Sequence, residues 1–405
     1  MIATGNLLDS YYNEIESELS NILDYWIKYA TDKEHDGYYG RIDNENIVYG
    51  NAAKGAVLNA RILWTFSAAY NLTSQHEYLV AANRAYSYIK KYFIDSTFGG
   101  IFWTVDHTGK PLDIKKQVYA LAFLLYAYSE YYQCDQLAEV KESAIKLYRL
   151  IEEHSLDKEY GGYFEAFTKD WKLIDDMRLS EKDANEKKTM NTHLHILESY
   201  TTLYRVWPDT NLKKSIQLLI NDFLIYIIDH GTGHLNLFFD EKWHSKKSII
   251  SYGHDIEASW LITEAAEAIA GEALIEQSKK AAIKLSVAAL KGLDEDGGLW
   301  YEKADGHLVK QKHWWPQAEA MVGFFNNWQI TSNEKFLEHS INSWSFIKKK
   351  IIDQKHGEWF WGIDEKDEPM KNEDKVGLWK CPYHNGRACM EIMKRIAVTK
   401  SVHLS

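Results

Sequence analysis

Cysteine and proline are scarce in this chain, and their scarcity narrows the class of protein. Three cysteines among 405 residues cannot complete a set of disulfides, and none lies at a zinc-ligand spacing from another. Only five prolines occur, and no Pro/Gly/Ser-rich stretch marks a linker between domains. Met1 to Ser20 contain no basic region followed by an apolar run, so we expect no secretory signal. Together these features favour a reducing compartment and predict a cytoplasmic protein.

Long apolar runs and clusters of basic residues are also missing. No apolar stretch approaches the ~18 residues that a membrane-spanning helix needs. The formal net charge is −11, and the basic run Lys348–Lys350 is short and typical of a solvated helix end. A protein that binds nucleic acid needs clustered Lys and Arg to neutralise phosphates. We therefore expect neither a membrane nor a nucleic acid as a partner.

Glycine turns joined to aromatic residues are the most informative feature that is present. They recur six times, roughly 60 to 70 residues apart, and a fixed period indicates one structural unit used repeatedly. The intervals have the pattern of helix pairs, which predicts an all-α, single-domain (α/α)6 barrel over residues 1–405, with the aromatic hairpins and loops gathered at one rim. The six copies are Gly37–Gly40, Gly99–Trp103, Gly161–Phe164, Gly233–Phe238, Gly297–Tyr301 and Gly357–Trp361.

The helices of each pair differ in their apolar pattern. The stretches 55–69 and 118–131 are apolar almost all round, as expected of inner helices that are buried on both sides. The stretches 78–93 and 138–153 are amphipathic, as expected of outer helices with one solvated face. The polar stretch 179–188 is interpreted as a loop within a repeat.

Unusual polar and aromatic residues follow the hairpins, where the inner helices are expected to begin. Because each group belongs to a different repeat, equal phase in a ring predicts that they converge on one central cavity. They are Arg61, Tyr119, Asn191–His195, Gly253–Glu257, His313–Glu319 and Trp379–Asn385.

Three histidines in these runs suggest proton transfer. His254 and Glu257 are three residues apart and share a helix face, so the carboxylate is expected to fix the imidazole tautomer. His195 forms a similar stripe with Asn191 and Glu198. His193 and His195 are two apart and do not face one site, which argues against a shared metal; we predict no metal and no other cofactor.

Arg61 and the tryptophans have structural as well as functional interpretations. Arg61 interrupts an apolar helix and either forms an ion pair between helices or supplies a cation for an oxyanion. Trp314 and Trp315 precede Pro316, which suits a helix start with core packing or a stacking wall for a sugar. In the second interpretation Glu319 binds hydroxyls and Trp379 forms another wall.

Other chemistries lack their sequence signals. No phosphate-binding loop, dinucleotide fingerprint, HExxH or GxSxG motif is present. Glycoside hydrolysis needs two carboxylates, for which Asp255, Glu257 and Glu319 are candidates. The polar centre is richer in histidine, which fits proton transfer at carbon better.

At these residues the chain resembles the N-acylglucosamine 2-epimerase superfamily, and within it the cellobiose 2-epimerases. The resemblance implies an (α/α)6 barrel that epimerises C2 of a reducing-end sugar without a metal or nicotinamide cofactor. The matching stretches cover nearly the whole chain in family order: Asn59–Phe66, Met190–Glu198, Gly253–Trp260, Trp314–Glu319 and Trp379–Asn385.

The resemblance also implies roles for individual residues. His254 and His384 would be the proton carriers on opposite faces of C2, and Arg61 and His195 would stabilise the enediolate oxygens. Asn191 and Tyr119 would orient hydroxyls, and Trp314, Trp315 and Trp379 would stack on the sugars. Because imidazole titrates near neutrality, two histidines acting as base and acid predict a bell-shaped pH profile.

The expected substrate is a β-1,4-linked disaccharide whose reducing-end glucose and mannose are interconverted, with cellobiose first and lactose or mannobiose as alternatives. The alternative hypotheses are a monosaccharide aldose–ketose isomerase, an N-acylglucosamine 2-epimerase, a glycoside hydrolase, or a sugar-binding toroid without catalysis. The protein is expected to be a monomer or a weak homo-oligomer.

Overall fold

Helices dominate the computed structural model, which describes residues 2–404, with side chains described over 5–401. Three outer helices end in a π-helical turn, at Trp26–Ala30, Phe223–Ile227 and Ile347–Ile351. The α-helices over residues 2–404 are α1 (Ile2–Tyr25), α2 (Ala56–Thr73), α3 (His76–Tyr92), α4 (Val118–Asp135), α5 (Ala138–His154), α6 (Met190–Val206), α7 (Thr210–Asp222), α8 (Tyr252–Ala268), α9 (Glu272–Ala289), α10 (Trp314–Thr331), α11 (Glu334–Phe346) and α12 (Tyr383–Leu404).

The even-numbered helices form a closed inner ring. Each packs on the next in the order α2, α4, α6, α8, α10 and α12, and α12 packs back on α2. The odd-numbered helices lie outside, each against its inner partner, and α1 packs on α12. The predicted (α/α)6 barrel is confirmed. Its two layers follow from the sequence pattern, because α2 and α4 are buried on nearly every side whereas α3 and α5 bury one face. None of the described helices is long and apolar enough to cross a membrane.

The six glycine turns form the predicted hairpins, each directly after an outer helix. In one of them Gly162 has φ +73°, and a Cβ there would lie 2.8 Å from His193 Nε2 and 2.3 Å from the Trp243 ring, so only glycine fits. The hairpins are closed by antiparallel bridges between Thr31 and Tyr38, Ile94 and Ile101, Leu156 and Tyr163, Ile228 and Leu235, Leu293 and Leu299, and Ile352 and Trp359.

Short antiparallel strands link neighbouring repeats around the same rim. In five repeats the strand that precedes an inner helix pairs with the strand that follows the next hairpin: β1 with β2, β4 with β5, β6 with β7, β8 with β9, and β11 with β12. The strands are β1 (Lys54–Gly55), β2 (Thr104–Val105), β3 (Pro111–Asp113), β4 (Lys116–Gln117), β5 (Ala166–Phe167), β6 (Lys188–Thr189), β7 (Phe238–Phe239), β8 (Ile249–Ser251), β9 (Glu302–Ala304), β10 (His307–Val309), β11 (Lys312–His313) and β12 (Gly362–Ile363).

Lys–Asp pairs with buried lysines tie the hairpins to the segments before the inner helices. A hairpin aspartate accepts a hydrogen bond from a lysine that precedes the next inner helix, and a buried pair of this kind fixes one arrangement of the two segments. In four repeats this lysine stands two residues before the inner helix, a position that Ile250 occupies in the fourth repeat. In the last repeat the pair is formed by Lys375, farther from the helix, while Lys380 next to the helix bonds Glu358 at 2.7 Å. The pairs and their N–O distances are Lys54–Asp32 at 2.7 Å, Lys116–Asp95 at 2.6 Å, Lys188–Asp157 at 2.7 Å, Lys312–Asp294 at 2.7 Å and Lys375–Asp353 at 2.6 Å.

Candidate active site

A cavity of about 510 Å³ opens at the rim where the inner helices begin. Its size falls in the range of small-molecule sites. Ten of the eleven residues predicted from the sequence line it, and Glu319 does not. The ten are Arg61, Tyr119, Asn191, His195, His254, Glu257, Trp314, Trp315, Trp379 and His384.

The repeats place polar side chains at one helical position. The sixth residue of the first five inner helices is, in turn, Arg61, Phe123, His195, Glu257 and Glu319. In the last repeat Pro382 precedes the helix, and the equivalent residue is Arg387. The convergence predicted from equal phase is therefore real: the same position in six repeats surrounds the barrel axis with charged, polar and aromatic groups.

His384 is held by a buried carboxylate. Its Nδ1 lies 2.7 Å from Glu319 Oε1, and Trp260 Nε1 donates to Glu319 Oε2 at 3.0 Å. Nδ1 therefore donates to Glu319 in the neutral imidazole, which leaves Nε2 with a lone pair. Burial lowers the pKa of His384 to about 3, although Glu319 opposes the shift. The expectation that Glu319 binds sugar hydroxyls is wrong, because this carboxylate is buried behind His384.

His254 has a different partner from the one the sequence predicted. Its Nδ1 lies 2.8 Å from the hydroxyl oxygen of Ser251, whereas Glu257 accepts a bond from Arg387 at 2.8 Å. Ser251 precedes α8, and its hydroxyl contacts His254, the third residue of that helix. The three-residue spacing between His254 and Glu257 did not reveal this contact. Burial lowers the pKa of His254 to about 3.

His195 carries its own carboxylate, as the polar stripe predicted. His195 Nδ1 lies 2.9 Å from Glu198 Oε2, and Tyr383 donates to Glu198 Oε1 at 2.6 Å. Burial lowers the pKa of His195 against the effect of Glu198. His193 lies elsewhere and accepts a bond from the Tyr163 backbone N–H at 2.9 Å, which confirms that it does not share a site with His195.

Arg61 contributes a cation to the cavity without a carboxylate partner. It donates to the Tyr119 hydroxyl at 2.8 Å and to the Trp379 carbonyl at 3.4 Å. Its guanidinium lies 4.1 Å from the centroid of the Phe123 ring. No salt bridge to Arg61 occurs among the side chains described, so the ion-pair interpretation is wrong. A buried cation held by neutral groups is suited to an anion that develops in the cavity.

Aromatic rings form two walls of the cavity. The Trp315 ring lies 4.7 Å from the His254 ring and 5.7 Å from the His384 ring, so it flanks both imidazoles. The Trp379 ring lies 5.8 Å from that of Trp103. Trp314 is only 3 % exposed and packs at 4.5 Å on Trp361, so it lines the cavity mainly as a support.

Several residues of the site were not predicted from the sequence. Arg387 binds three carboxylates. It occupies the helical position that Arg61 and Glu319 hold in other repeats, so the repeat phase also points to it. The stretch Leu179–Asp183, predicted only as a loop, borders the cavity. Tyr301, His313, Trp361 and Glu373 also line it. Tyr301 and Trp361 end two of the glycine–aromatic hairpins and His313 begins a predicted run, whereas Glu373 has no such sequence signal.

One donor set near the cavity has the spacing of a metal site. Ligand atoms of Glu257, Glu319 and His384 all lie within 4.8 Å of one another. Arg387 already donates to both carboxylates, at 2.8 and 2.6 Å, so a guanidinium takes the place that a cation would need. We assign this group no metal.

The barrel and its cavity of histidines, tryptophans and one unpaired arginine define a carbohydrate-active (α/α)6 enzyme. A family model described as N-acylglucosamine 2-epimerase matches residues 37–388. The chain belongs to the N-acylglucosamine 2-epimerase family, whose members are sugar isomerases, and it is an isomerase itself.

Known relatives match over nearly their full lengths. The cellobiose 2-epimerase of Bacteroides fragilis is 49% identical, with 94% of this chain and 98% of that protein covered. That of Dictyoglomus turgidum is 40% identical, with 95% and 98% covered. The solved structure of cellobiose 2-epimerase from Bacillus thermoamylovorans superposes with a TM-score of 0.92 at 40% identity, covering 96% of this chain and 100% of that one.

Proposed function

We propose that this enzyme epimerises C2 of the reducing-end sugar in a β-1,4-linked disaccharide, converting cellobiose into glucosyl-mannose. The observation that carries the proposal is a pair of imidazoles, His254 and His384, on one cavity with each Nδ1 engaged by the protein. Each Nε2 is then available to the substrate. The names of the relatives support cellobiose as the first substrate to test.

The reaction follows from these groups. The reducing sugar opens to its aldehyde, and a neutral imidazole takes the proton from C2. The C–H electron pair moves into a C1–C2 double bond, and the carbonyl oxygen becomes an enediolate oxygen beside Arg61 and His195. His254 is neutral in the resting enzyme, so the opposite imidazole takes up a proton from solvent once the negative enediolate has formed and passes it to the other face of C2. Exchange with solvent then restores the starting protonation states.

The carboxylate behind His384 suits it to be the base. Glu319 stabilises the imidazolium that forms when His384 takes up a proton, whereas the hydroxyl of Ser251 gives His254 no such charge. The negative enediolate in turn favours the protonated form of His254. We therefore assign proton removal in the glucose-to-mannose direction to His384 and proton return to His254.

Two aromatic walls in the cavity support a disaccharide rather than a monosaccharide as the substrate. The Trp315 wall flanks the two histidines, where the reacting sugar must lie. Trp379 lines the cavity as a second aromatic wall, with the Trp103 ring beside it, and another sugar ring can stack there. Lactose and mannobiose remain alternative substrates on this scheme.

The acid limb of the kcat/KM pH profile is expected to be displaced to low pH. Burial lowers the pKa of His384 from 6.5 to about 3. The base stays neutral until the pH falls through that lowered value, so kcat/KM should hold well below pH 6.5. Measuring kcat/KM from acid to neutral pH tests this; an acid limb at or above 6.5 would contradict it.

Proton NMR of cellobiose incubated with the enzyme in D2O tests the reaction. Glucosyl-mannose carrying deuterium at C2 is the expected result. Release of free glucose would indicate hydrolysis and turn attention to Glu257 and Glu319. An unchanged spectrum would contradict the proposal for cellobiose, and lactose, mannobiose, mannose and N-acetylmannosamine would then be tried in the same way.

We also propose that the enzyme works in the cytoplasm as a monomer or weak homo-oligomer. The three cysteines are free, and two of them are buried, which suits a reducing compartment. Cell fractionation and sedimentation velocity test the two statements.

A further inference from the structure

Arg387 connects three carboxylates at the bottom of the cavity without lining it. The residue is 1 % exposed, and its Nη1 donates to Glu198 Oε1 and to the Tyr383 hydroxyl. Its Nη2 donates to Glu257 Oε1 at 2.8 Å and to Glu319 Oε1 at 2.6 Å. Such a fork of donors is specific to arginine, since lysine offers a single nitrogen.

Two of these three carboxylates, Glu198 and Glu319, each bond a histidine of the cavity. Glu198 bonds His195 Nδ1 at 2.9 Å, and Glu319 bonds His384 Nδ1 at 2.7 Å. Arg387 therefore reaches both histidines through one intervening carboxylate each. A rotation of either carboxylate would free the imidazole behind it.

The charges around Arg387 require a cation at its position. Three buried carboxyl groups surround one guanidinium. Burial and the neighbouring Glu319 raise the pKa of Glu257. Burial also acts to raise the pKa of Glu198, but Arg387 and His195 hold it below its ordinary value. Without Arg387 the carboxylates would repel one another and lose the arrangement that orients the imidazoles.

We propose that Arg387 is the positioning residue of the site, which keeps His195 and His384 with Nδ1 protonated towards their carboxylates and Nε2 free towards the cavity. The consequence for turnover rests on the proposed function, whereas the consequence for the imidazoles does not. Arg387 itself touches no reacting atom.

The expected direction of change follows from the groups that face His384. Arg387 contributes a positive charge that lowers the pKa of His384 and of His195. Its removal should raise both pKa values, and the acid limb of kcat/KM should move to higher pH. The titratable and charged groups around His384 are Glu319 on α10, Glu257 and His254 on α8, His195 and Glu198 on α6, Tyr119 on α4, Arg61 on α2, and Tyr383 and Arg387 on α12.

The test compares Arg387→Met with Arg395→Met on the same helix. Arg395 donates to Asn326 Oδ1 and Gln329 Oε1, both at 2.9 Å, and lines no part of the cavity. Nitrogen-15 NMR of the histidine side chains, without substrate and at neutral pH, should show single Nδ1–H tautomers for His195 and His384 in the native enzyme. In Arg387→Met the signals of these two histidines should show a fraction of imidazolium or exchange between the two tautomers. In Arg395→Met they should be the same as in the native enzyme.

Kinetics of the same variants provide the second readout. For Arg387→Met we expect kcat with cellobiose to fall on the order of 100-fold, with KM changed less than about threefold. Arg387→Lys keeps the charge, and its kcat should fall about tenfold. Arg395→Met should match the native enzyme in kcat and in its acid limb.

The outcomes separate the two proposals. Unchanged imidazole signals and an unmoved acid limb in a folded Arg387→Met would overturn the role of Arg387. If that variant does not fold, Arg387→Lys decides by the same spectra, and native tautomers together with native kcat would overturn the role. If the native enzyme epimerises none of the disaccharides, the proposed function fails, while the spectra still decide whether Arg387 positions the histidines.

Discussion

Replacing His384 with glutamine should lower kcat on the order of 10⁴-fold and leave sugar affinity within about tenfold of the native value. Glutamine is close to histidine in size and can still bond Glu319, so the cavity keeps its shape. It cannot accept a proton from C2, and the enediolate does not form. Turnover of cellobiose by NMR and binding by calorimetry give the two quantities.

His244→Gln is the matched control for this prediction. His244 also bonds a carboxylate, Asp240 at 3.0 Å, but lies on the surface outside the cavity. Its replacement should change neither quantity. A folded His384→Gln enzyme with near-native turnover would exclude His384 as a proton carrier. Loss of binding together with turnover would mean that His384 mainly holds the sugar.

Arg61→Met should lower kcat on the order of 10³-fold, the second largest effect that we expect. The guanidinium is buried beside Tyr119 and has no carboxylate to neutralise it, so its charge is available to the enediolate. Methionine fills similar space without charge. Because proton removal from C2 becomes slower, a larger primary isotope effect with C2-deuterated cellobiose should accompany the loss.

Tyr119→Phe provides a graded comparison with Arg61→Met. It keeps the ring but removes the hydroxyl that accepts a hydrogen bond from Arg61 at 2.8 Å, so we expect kcat to fall about tenfold. If Arg61 merely held helices together, Arg61→Met would lower the melting temperature while kcat per folded molecule stayed native. That result would remove Arg61 from the reaction.

The repeat made the barrel predictable, because the glycine turns and the alternating helix patterns recur at matching phase. The pairing of His254 was not predictable from spacing. Both Ser251 and Glu257 lie three residues away, and their spatial arrangement around the ring decides which one bonds the imidazole. Burial decided the role of Glu319 in the same way, since sequence distance does not tell whether a carboxylate lies beside the cavity or behind a histidine.

Arg387 was missed because the short sequence motif around His384 does not extend to it. The run that contains His384 ends, as a recognisable motif, at Asn385, two residues before the arginine. Applying the six-fold phase to the last helix would have found it, because Arg61 and Arg387 occupy the same position in two repeats. The Lys–Asp pairs of the hairpins, such as Lys188 with Asp157, were equally visible as a repeat once that phase is known.

The packing of α1 on α12 has a consequence for how the enzyme is made. The first and last helices of the chain form one pair, so the ring cannot close until synthesis has reached α12. His384 and Arg387 lie on that last helix and join the other site residues only at this final step. The contact between α1 and α12 joins segments far apart in sequence and carries a loop-closure entropy, so its formation is expected to be late and slow. Catalytic competence thus requires α12, and no nascent fragment lacking α12 can carry the proton-transfer pair.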